Sequence, residues 1–286
     1  MSTLRLLDVS DSRLSVFTAL TNHQLRNALD PQRGIAIVES QIAIRAALAR
    51  GVEPVAFLLD ERRLETMADV LAQVGEDVPV FVLPPEQAER LTGYRVTRGA
   101  LCAVRRPPAI GVGELLDGAS RVVVLEGITD TSNVGAVFRN AAALGADGVI
   151  VAPTCADPWS RRAVRVSMGN VFVVPWARAT GDWPRDAFEE LRGRGFSCHA
   201  LALEDDAVAL DDPSLVRAKK RALFFGSEGR GLSREVLDAC DRSVIIPMAN
   251  GVDSLNVAAS SAVAMWQLFR PSPSDGPGCE PSPALG

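Results

Sequence analysis

The feature that most limits the fold of this chain is a repeated alternation of short apolar runs with segments of helical period. Residues 35–38 and 55–59 are apolar runs of strand length, and residues 42–48 between them carry apolar side chains at helical spacing. The same alternation resumes at residues 122–125 and continues to residue 268. Strands separated by helices are typical of a mostly parallel sheet, because parallel neighbours need a crossover connection. The sequence therefore predicts an α/β fold.

The alternation is interrupted once, at residues 105–113, where Pro and Gly are concentrated without an apolar period. A chain of 286 residues is also longer than one hydrophobic core usually serves. We therefore predict a smaller N-terminal α/β domain at residues 1–107, a linker at 108–118 and a larger α/β domain at 119–270. The Pro- and Ser-rich tail at 271–286 cannot bury a core and is predicted to be disordered.

Composition narrows the possible functions. The net charge of −5 argues against a generic polyanion binder, so any RNA-binding surface must be local. Five scattered cysteines without a C-x-x-C pair predict reduced thiols, with neither a disulfide framework nor a zinc site. No apolar stretch approaches the ~20 residues needed to cross a bilayer, and no signal peptide is evident. We expect a cytoplasmic protein without a membrane or metal partner.

The sequence matches two common enzyme motifs poorly, the dinucleotide-binding glycine motif and the nucleophile elbow of serine hydrolases. Gly111-Val-Gly113 has Leu116 where a dinucleotide-binding motif requires its third glycine. Gly226-Ser-Glu-Gly229 has the wrong order for the nucleophile elbow of a serine hydrolase. Both alternatives, a dinucleotide enzyme and a small-molecule hydrolase, are disfavoured.

Three other segments are rich in residues that a plain core does not need. Residues 125–140 run from a strand through a polar turn into a helix, where Asn133 can cap the helix and Arg139, six residues on, points to a different face. A capped helix with a solvated arginine also explains this segment on its own.

The second segment, residues 223–233, has three glycines within six residues directly after an apolar run. Glycine lets the backbone approach a ligand closely, although an ordinary turn with Ser233 capping the next helix through Val236 is the alternative. The third segment, residues 244–262, is a strand, a Pro/Asn/Gly loop and a helix that opens with Ser254 and Asn256. Its small residues permit close packing against a ligand or another helix.

Taken together, the three segments resemble the ordered signature motifs of the SpoU (TrmH-like) family of the SPOUT superfamily. The matching strings are N-x-G-x-x-x-R at 133–139, F-G-S-E-G-x-G-L at 225–232, and I-P-M at 246–248 followed by S-L-N-V-A at 254–258. A further family-like stretch, R-V-S-M-G, begins at Arg165. The resemblance is strong over residues 121–268. It is looser over residues 25–104, where Glu39 and the run at 99–104 look like the family's ribosomal-protein-like substrate-recognition domain.

The resemblance implies an S-adenosylmethionine-dependent RNA 2′-O-ribose methyltransferase that works as a homodimer on ribosomal or transfer RNA. It also implies that the C-terminal domain is a SPOUT α/β fold with a trefoil knot in which the cofactor is bound. The implied cofactor-binding residues are Leu203, Gly226, Ile246, Met248 and Leu255. The implied catalytic residues are Arg139, Asn133, Glu228, Ser254 and Asn256.

The implied role of Arg139 follows from its chemistry. A guanidinium is a poor base, so we expect Arg139 to favour developing alkoxide charge on the ribose, with the other four residues orienting it and the substrate. By resemblance, Arg165 holds an RNA phosphate. Further candidates for phosphate contact lie near the domain boundary, where a solvated charged face is an equally good explanation: Arg95, Arg98, Arg105 and Arg106. The rival functions are a non-catalytic RNA- or ribosome-binding protein that retains the fold, and a base methyltransferase of the same superfamily.

Overall fold

The computed structural model describes residues 3–5, 12–17, 34–93, 96 and 99–269. Arg95, Arg98 and the tail at 271–286, all subjects of sequence predictions, lie outside these residues. Within the described ranges, no helix is both long and apolar enough to span a membrane.

The described residues of the N-terminal part form a five-stranded sheet in the order β1-β4-β3-β5-β2. Its strands are β1 Thr3–Arg5, β2 Ile35–Glu39, β3 Pro54–Leu59, β4 Val80–Val82 and β5 Ala100–Arg105. Its α-helices are α1 Gln41–Leu48, α2 Ala68–Ala72 and α3 Pro85–Thr92, and its 3-10 helices are Ser12–Phe17, Glu61–Arg63 and Glu65–Met67. The sheet is mixed, because β5 runs antiparallel to both β2 and β3.

The C-terminal part forms a seven-stranded sheet in the order β10-β12-β9-β11-β6-β7-β8, and every described pair in it is parallel. Its strands are β6 Arg121–Leu125, β7 Gly148–Val151, β8 Trp176–Arg178, β9 Ser197–Leu201, β10 Val208–Ala209, β11 Arg221–Phe225 and β12 Arg242–Ile245. Its α-helices are α4 Val112–Leu116, α5 Thr131–Ala143, α6 Arg161–Val166, α7 Arg185–Gly193, α8 Arg234–Ala239 and α9 Val257–Phe269, and its 3-10 helices are Asn170–Phe172 and Pro213–Val216. The predicted α/β fold with a mostly parallel sheet is confirmed.

Helix α4 lies within the stretch predicted to be a linker. Leu115 and Leu116 are buried against the C-terminal sheet, so this part of the linker is packed rather than extended. The Pro and Gly residues that surround the helix hide its short apolar pattern in the sequence.

Helix α6 joins the two sheets. Arg161 at its start pairs with the buried carboxylate of Glu39 at the end of β2, with 2.9 Å between nitrogen and oxygen. A second ion pair, 3.0 Å long, links Arg106 to Asp157. Just beyond α6, a Cβ on Gly169 would lie 3.0 Å from the backbone of Ala43 in α1. The N-terminal and C-terminal parts of the chain are therefore packed against each other through α6 and the segments that flank it.

The strand order determines where the three motif segments meet. Strands β9, β11 and β6 are neighbours, and β12 pairs with β9 on its other side. The carboxyl ends of parallel strands lie at one edge of a sheet, and ligands bind there where the chain changes direction across the sheet. From β6 the chain continues to β7 and β8 on one side, then returns to β9 and β11 on the other, so the change of direction falls between β6 and β11.

Candidate functional site

The first motif segment leaves β6 and enters α5. Asp130 caps the helix by accepting a hydrogen bond of 2.7 Å from the backbone N–H of Ser132. The prediction that Asn133 caps this helix is wrong, because the carboxylate of Asp130 already occupies that position. The side chain of Asn133 instead points towards the second motif segment, where it bonds Glu228.

The second motif segment contains the loop of residues 226–232, named here the glycine loop, between β11 and α8. Two backbone hydrogen bonds between Ser227 and Gly231, of 3.2 and 2.9 Å, close the loop on itself. A Cβ on Gly226 would lie 2.2 Å from the carbonyl carbon of Gly231, so no side chain fits there. Ser233 caps α8 by accepting a hydrogen bond of 3.4 Å from the backbone N–H of Val236, which is the cap that the alternative explanation of this segment proposes.

Side chains from all three motif segments meet in one polar cluster. The amide of Asn133 donates to Glu228 Oε1 over 3.0 Å, and Asn256 donates to the same oxygen and to Asn133 Oδ1, 3.2 Å away. Asn256 Oδ1 also accepts from the backbone N–H of Ala258 at 2.9 Å, which fixes the orientation of its amide. The other carboxylate oxygen of Glu228 bonds no residue that the structure describes, so it can accept a hydrogen bond from a ligand.

A cavity of about 710 Å³ lies on one side of the glycine loop, within the range of roughly 300–1,000 Å³ typical of cofactor sites. All five predicted cofactor-binding residues line it: Leu203, Gly226, Ile246, Met248 and Leu255. Ser254 and Asn256 line it as well. The backbone N–H groups of Leu203, Gly226 and Ile246 form no hydrogen bond with the described part of the chain, so they are available to a ligand.

A second cavity of about 660 Å³ lies on the other side of the glycine loop. Most of the residues that line it are polar, including Asp130, Asn133 and Thr154, and they come from the turn after β6 and from the loop. Glu228 lines both cavities. The polar cluster therefore lies at the boundary between the two cavities.

Arg139 is not part of this cluster. It is exposed on α5 and forms no hydrogen bond or ion pair with the residues that the structure describes. Six residues of helix place it about 9 Å along the axis from Asn133. The structure thus brings together Asn133, Glu228 and Asn256, places Ser254 in the first cavity, and leaves Arg139 free for an external group.

The predicted RNA-contacting arginines differ in their surroundings. Arg165 is exposed on α6. Arg105 pairs with Glu53 at 2.8 Å, and the guanidinium of Arg106 is held in its ion pair between the two sheets. The sequence reasoning missed Arg162, which is exposed on α6 and donates to the hydroxyl of Ser132 at the start of α5. In the sequence, Arg162 is simply the second residue of an Arg-Arg pair, and nothing in that pattern indicates its contact with Ser132.

His199 lies in the C-terminal sheet and does not reach the cavities. It is 2 % exposed in β9, and burial lowers the pKa of its imidazole to about 4. A neutral, enclosed imidazole cannot exchange a proton with a substrate. Among the described residues, no group of three or more His, Cys, Asp or Glu side chains is arranged to hold a metal ion.

Comparison with known proteins gives one family. The model of the SpoU rRNA Methylase family matches residues 120–266. An uncharacterized tRNA/rRNA methyltransferase of Mycobacterium bovis is 39% identical over 272 residues, covering 95% of this chain and 93% of that protein. A 23S rRNA (guanosine-2′-O-)-methyltransferase of Bordetella pertussis is 32% identical over 217 residues, covering 73% of this chain and 84% of that protein.

Solved structures show the same fold. The AdoMet-bound rRNA methyltransferase from Sinorhizobium meliloti superimposes with a TM-score of 0.78 at 22% identity, covering 93% of this chain and 97% of that one. At this level of identity the likeness concerns the architecture alone.

Proposed function

The chain belongs to the SpoU rRNA methylase family, and on this premise we propose that it methylates the 2′-hydroxyl of a ribose in ribosomal or transfer RNA with S-adenosylmethionine. The observation that carries the proposal is the pair of cavities that share Glu228. A transfer reaction needs a donor site and an acceptor site whose reacting atoms meet. Here two cavities meet at one carboxylate, that of Glu228.

The first cavity, of about 710 Å³, fits the cofactor. The free backbone N–H groups at Leu203, Gly226 and Ile246 suit the edge of an adenine, and the side chains of Met248 and Leu255 supply apolar walls. When bound, S-adenosylmethionine supplies a methyl group on a sulfonium centre. We also propose that the segments around this cavity follow the trefoil-knotted path of the family.

The second cavity, of about 660 Å³, suits the ribose. The free carboxylate oxygen of Glu228 accepts a hydrogen bond from a sugar hydroxyl, while Asn133 and Asn256 hold that carboxylate in one orientation. Most of the acceleration then comes from positioning the 2′-oxygen in line with the methyl group. Ser254 lines the cofactor cavity, from which its hydroxyl would orient the ribose on the side opposite the second cavity.

Arg139 acts on charge in this proposal. It has no ionic partner among the described residues, so its guanidinium is available to a phosphate and to the alkoxide that develops as the 2′-oxygen loses its proton. Arg165 and Arg162, exposed on the neighbouring α6, extend the positive surface along the RNA backbone. The N-terminal domain at residues 1–107 then selects the RNA, in a loop or bulge where a ribose is accessible.

We further propose that the protein works as a homodimer through α9. Residues 259, 263 and 266 share one face of that helix, and the large apolar side chains Val263 and Trp266 are 41 % and 57 % exposed. Twofold pairing of the same helix from two chains would cover this face. Asn140 of α5 bonds the backbone of Ala258 and Ser261 Oγ in α9, so a dimer through α9 also fixes the helix that carries Arg139.

The proposal is tested by transferring a labelled methyl group from S-adenosylmethionine to ribosomal and transfer RNA and then digesting the product to nucleosides. A 2′-O-methylated nucleoside is the expected product, and a methylated base would contradict the proposed acceptor. Glu228→Gln should lower single-turnover transfer strongly, whereas Glu235→Gln, an exposed carboxylate on α8, should leave it unchanged. Binding of RNA without any transfer would support a non-catalytic RNA-binding protein instead.

A further inference from the structure

Glu126 is a buried carboxylate that joins three separate segments beside the proposed site. It follows β6 directly and is 8 % exposed. Its Oε2 accepts from the backbone N–H of Ser233 at 2.7 Å, and its Oε1 accepts from the hydroxyl of Ser233 at 2.9 Å and from the indole N–H of Trp183 at 2.7 Å. Three donors converge on one side chain, which compensates for the loss of water around a buried charge.

The contact with Ser233 fixes the far end of the glycine loop. The near end continues from β11, which is paired with β6 on one side and β9 on the other. Between these ends the loop is closed by the Ser227–Gly231 hydrogen bonds and by the tight approach of Gly226 to Gly231. A loop that is closed on itself and held at both ends moves as a unit, so its position determines where Glu228 stands.

We propose that Glu126 is a positioning residue that holds the glycine loop, and through it Glu228, by tying Ser233 to Trp183. Trp183 lies in the segment between β8 and α7 and packs against both hydrophobic clusters of the C-terminal sheet, which gives the tie a rigid anchor. The predicted effect on turnover rests on the function proposed above. The effect on the loop itself does not depend on it.

Replacing the carboxylate of Glu126 by the amide of glutamine tests the link between Ser233 and Trp183 directly. In Glu126→Gln, either orientation of the new amide places its NH₂ group against an N–H donor, at Ser233 in one case and at Trp183 in the other. The glycine loop should exchange its amide hydrogens faster, and the affinity for S-adenosylmethionine should fall about tenfold, as expected for the loss of a hydrogen bond to a charged group. Trp183→Phe should give a smaller change, because Ser233 keeps its carboxylate.

The double variant makes the prediction specific. In Glu126→Gln/Trp183→Phe the indole donor is gone, so the amide can turn its oxygen to the Ser233 N–H and its NH₂ group to the Ser233 hydroxyl. The double variant should therefore recover slow loop exchange relative to Glu126→Gln alone. If Glu126 had only a general structural role, the effects of the two substitutions on loop exchange would add, and the double variant would exchange at least as fast as Glu126→Gln.

Asp147 provides a matched control. It also accepts from the backbone N–H and the hydroxyl of one serine, Ser120, at 2.9 and 3.0 Å, but at the opposite end of β6, roughly 20 Å away. Asp147→Asn should lower the melting temperature and speed exchange at residues 120–121, while the glycine loop and cofactor affinity stay unchanged. The readouts are hydrogen exchange by mass spectrometry and calorimetric titration with S-adenosylmethionine.

The proposal would be overturned if Glu126→Gln and Asp147→Asn changed the hydrogen exchange of the glycine loop and the cofactor affinity equally. It would also be overturned if the loop exchanged faster in the double variant than in Glu126→Gln. If Glu126→Gln fails to fold, the test is Trp183→Phe, and unchanged hydrogen exchange of the glycine loop in that variant would overturn the proposal. A wild-type protein that neither binds the cofactor nor methylates RNA would refute the proposed function, and loop exchange in the variants would still decide the role of Glu126.

Discussion

Gly226→Ala should displace the glycine loop and weaken cofactor binding without unfolding the protein. The new Cβ would lie 2.2 Å from Gly231 C, 2.4 Å from Leu232 N and 2.5 Å from Gly231 O. All three are backbone atoms, so no flexible side chain can move aside. The loop must open by about 1.2 Å before the first of these contacts reaches the 3.4 Å at which ordinary van der Waals distances begin.

The size of the effect follows from this displacement. Overpacking typically costs about 1–3 kcal/mol. In a protein of this size each kcal/mol lowers the melting temperature by roughly 2–4 °C. A shift of about 1 Å also misaligns the backbone groups of the cavity, so we expect S-adenosylmethionine affinity to fall about ten- to a hundredfold. Single-turnover transfer at saturating cofactor should fall by about a hundredfold, because Glu228 moves with the loop.

Calorimetric titration, thermal unfolding and single-turnover transfer measure these three quantities. Gly229→Ala is the control in the same loop, because a Cβ there meets nothing within 4 Å. It should leave the melting temperature and the cofactor affinity unchanged. If Gly226→Ala bound the cofactor as tightly as the wild type, neither the tight loop nor the cofactor site at Gly226 would be correct.

Three further outcomes are expected. Arg139→Ala should lower single-turnover transfer by about a hundredfold with little change in cofactor affinity or melting temperature. Arg139→Lys should restore little of the transfer, because the point charge of an ammonium cannot replace the planar guanidinium. Near-native transfer in Arg139→Ala would refute the role of Arg139 in stabilising the alkoxide. Trp266→Glu should shift the protein from dimer to monomer in analytical ultracentrifugation, while Ile42→Glu, equally exposed on α1, should not; a dimer that survives Trp266→Glu would exclude this face of α9. His199 stays neutral in the folded state down to its lowered pKa of about 4, whereas in the unfolded chain it takes up a proton below about 6.5. Its contribution to the free energy of unfolding should therefore fall by up to about 3 kcal/mol as pH drops from 6.5 to 4, and His199→Leu should show a flatter pH profile in urea denaturation; equal slopes would contradict the burial argument.

The amino-acid sequence determined the elements and the chemical content of the site. Apolar runs of strand length and helical periods are local properties, so the strands around residues 55–59, 122–125 and 222–225 and the helices between them could be predicted. The glycines of the loop and the polar residues of the motifs are local as well. Family resemblance alone implies a role for each of them.

The sequence could not distinguish the direction of the N-terminal strands. An apolar run buried on both faces looks the same whether its neighbour is parallel or antiparallel, and β5 is antiparallel to both of its partners. Nor could it find the cap of α5, because Asp130 and Asn133 are both good capping residues and only the backbone geometry selects one.

Only the tertiary structure decided which polar residues meet. Asn133 and Glu228 are 95 residues apart, and Asn256 and Asn133 are 123 apart, so their contact depends on the order of β12, β9, β11 and β6 in the sheet. The same order places the buried carboxylate of Glu126 beside Ser233 and the indole of Trp183. It leaves Arg139, six residues from Asn133 on the same helix, outside the cluster, because helical rotation sends the two side chains in different directions. Local pattern fixes what each segment contains, whereas strand order, a property of the whole sheet, fixes which segments become neighbours.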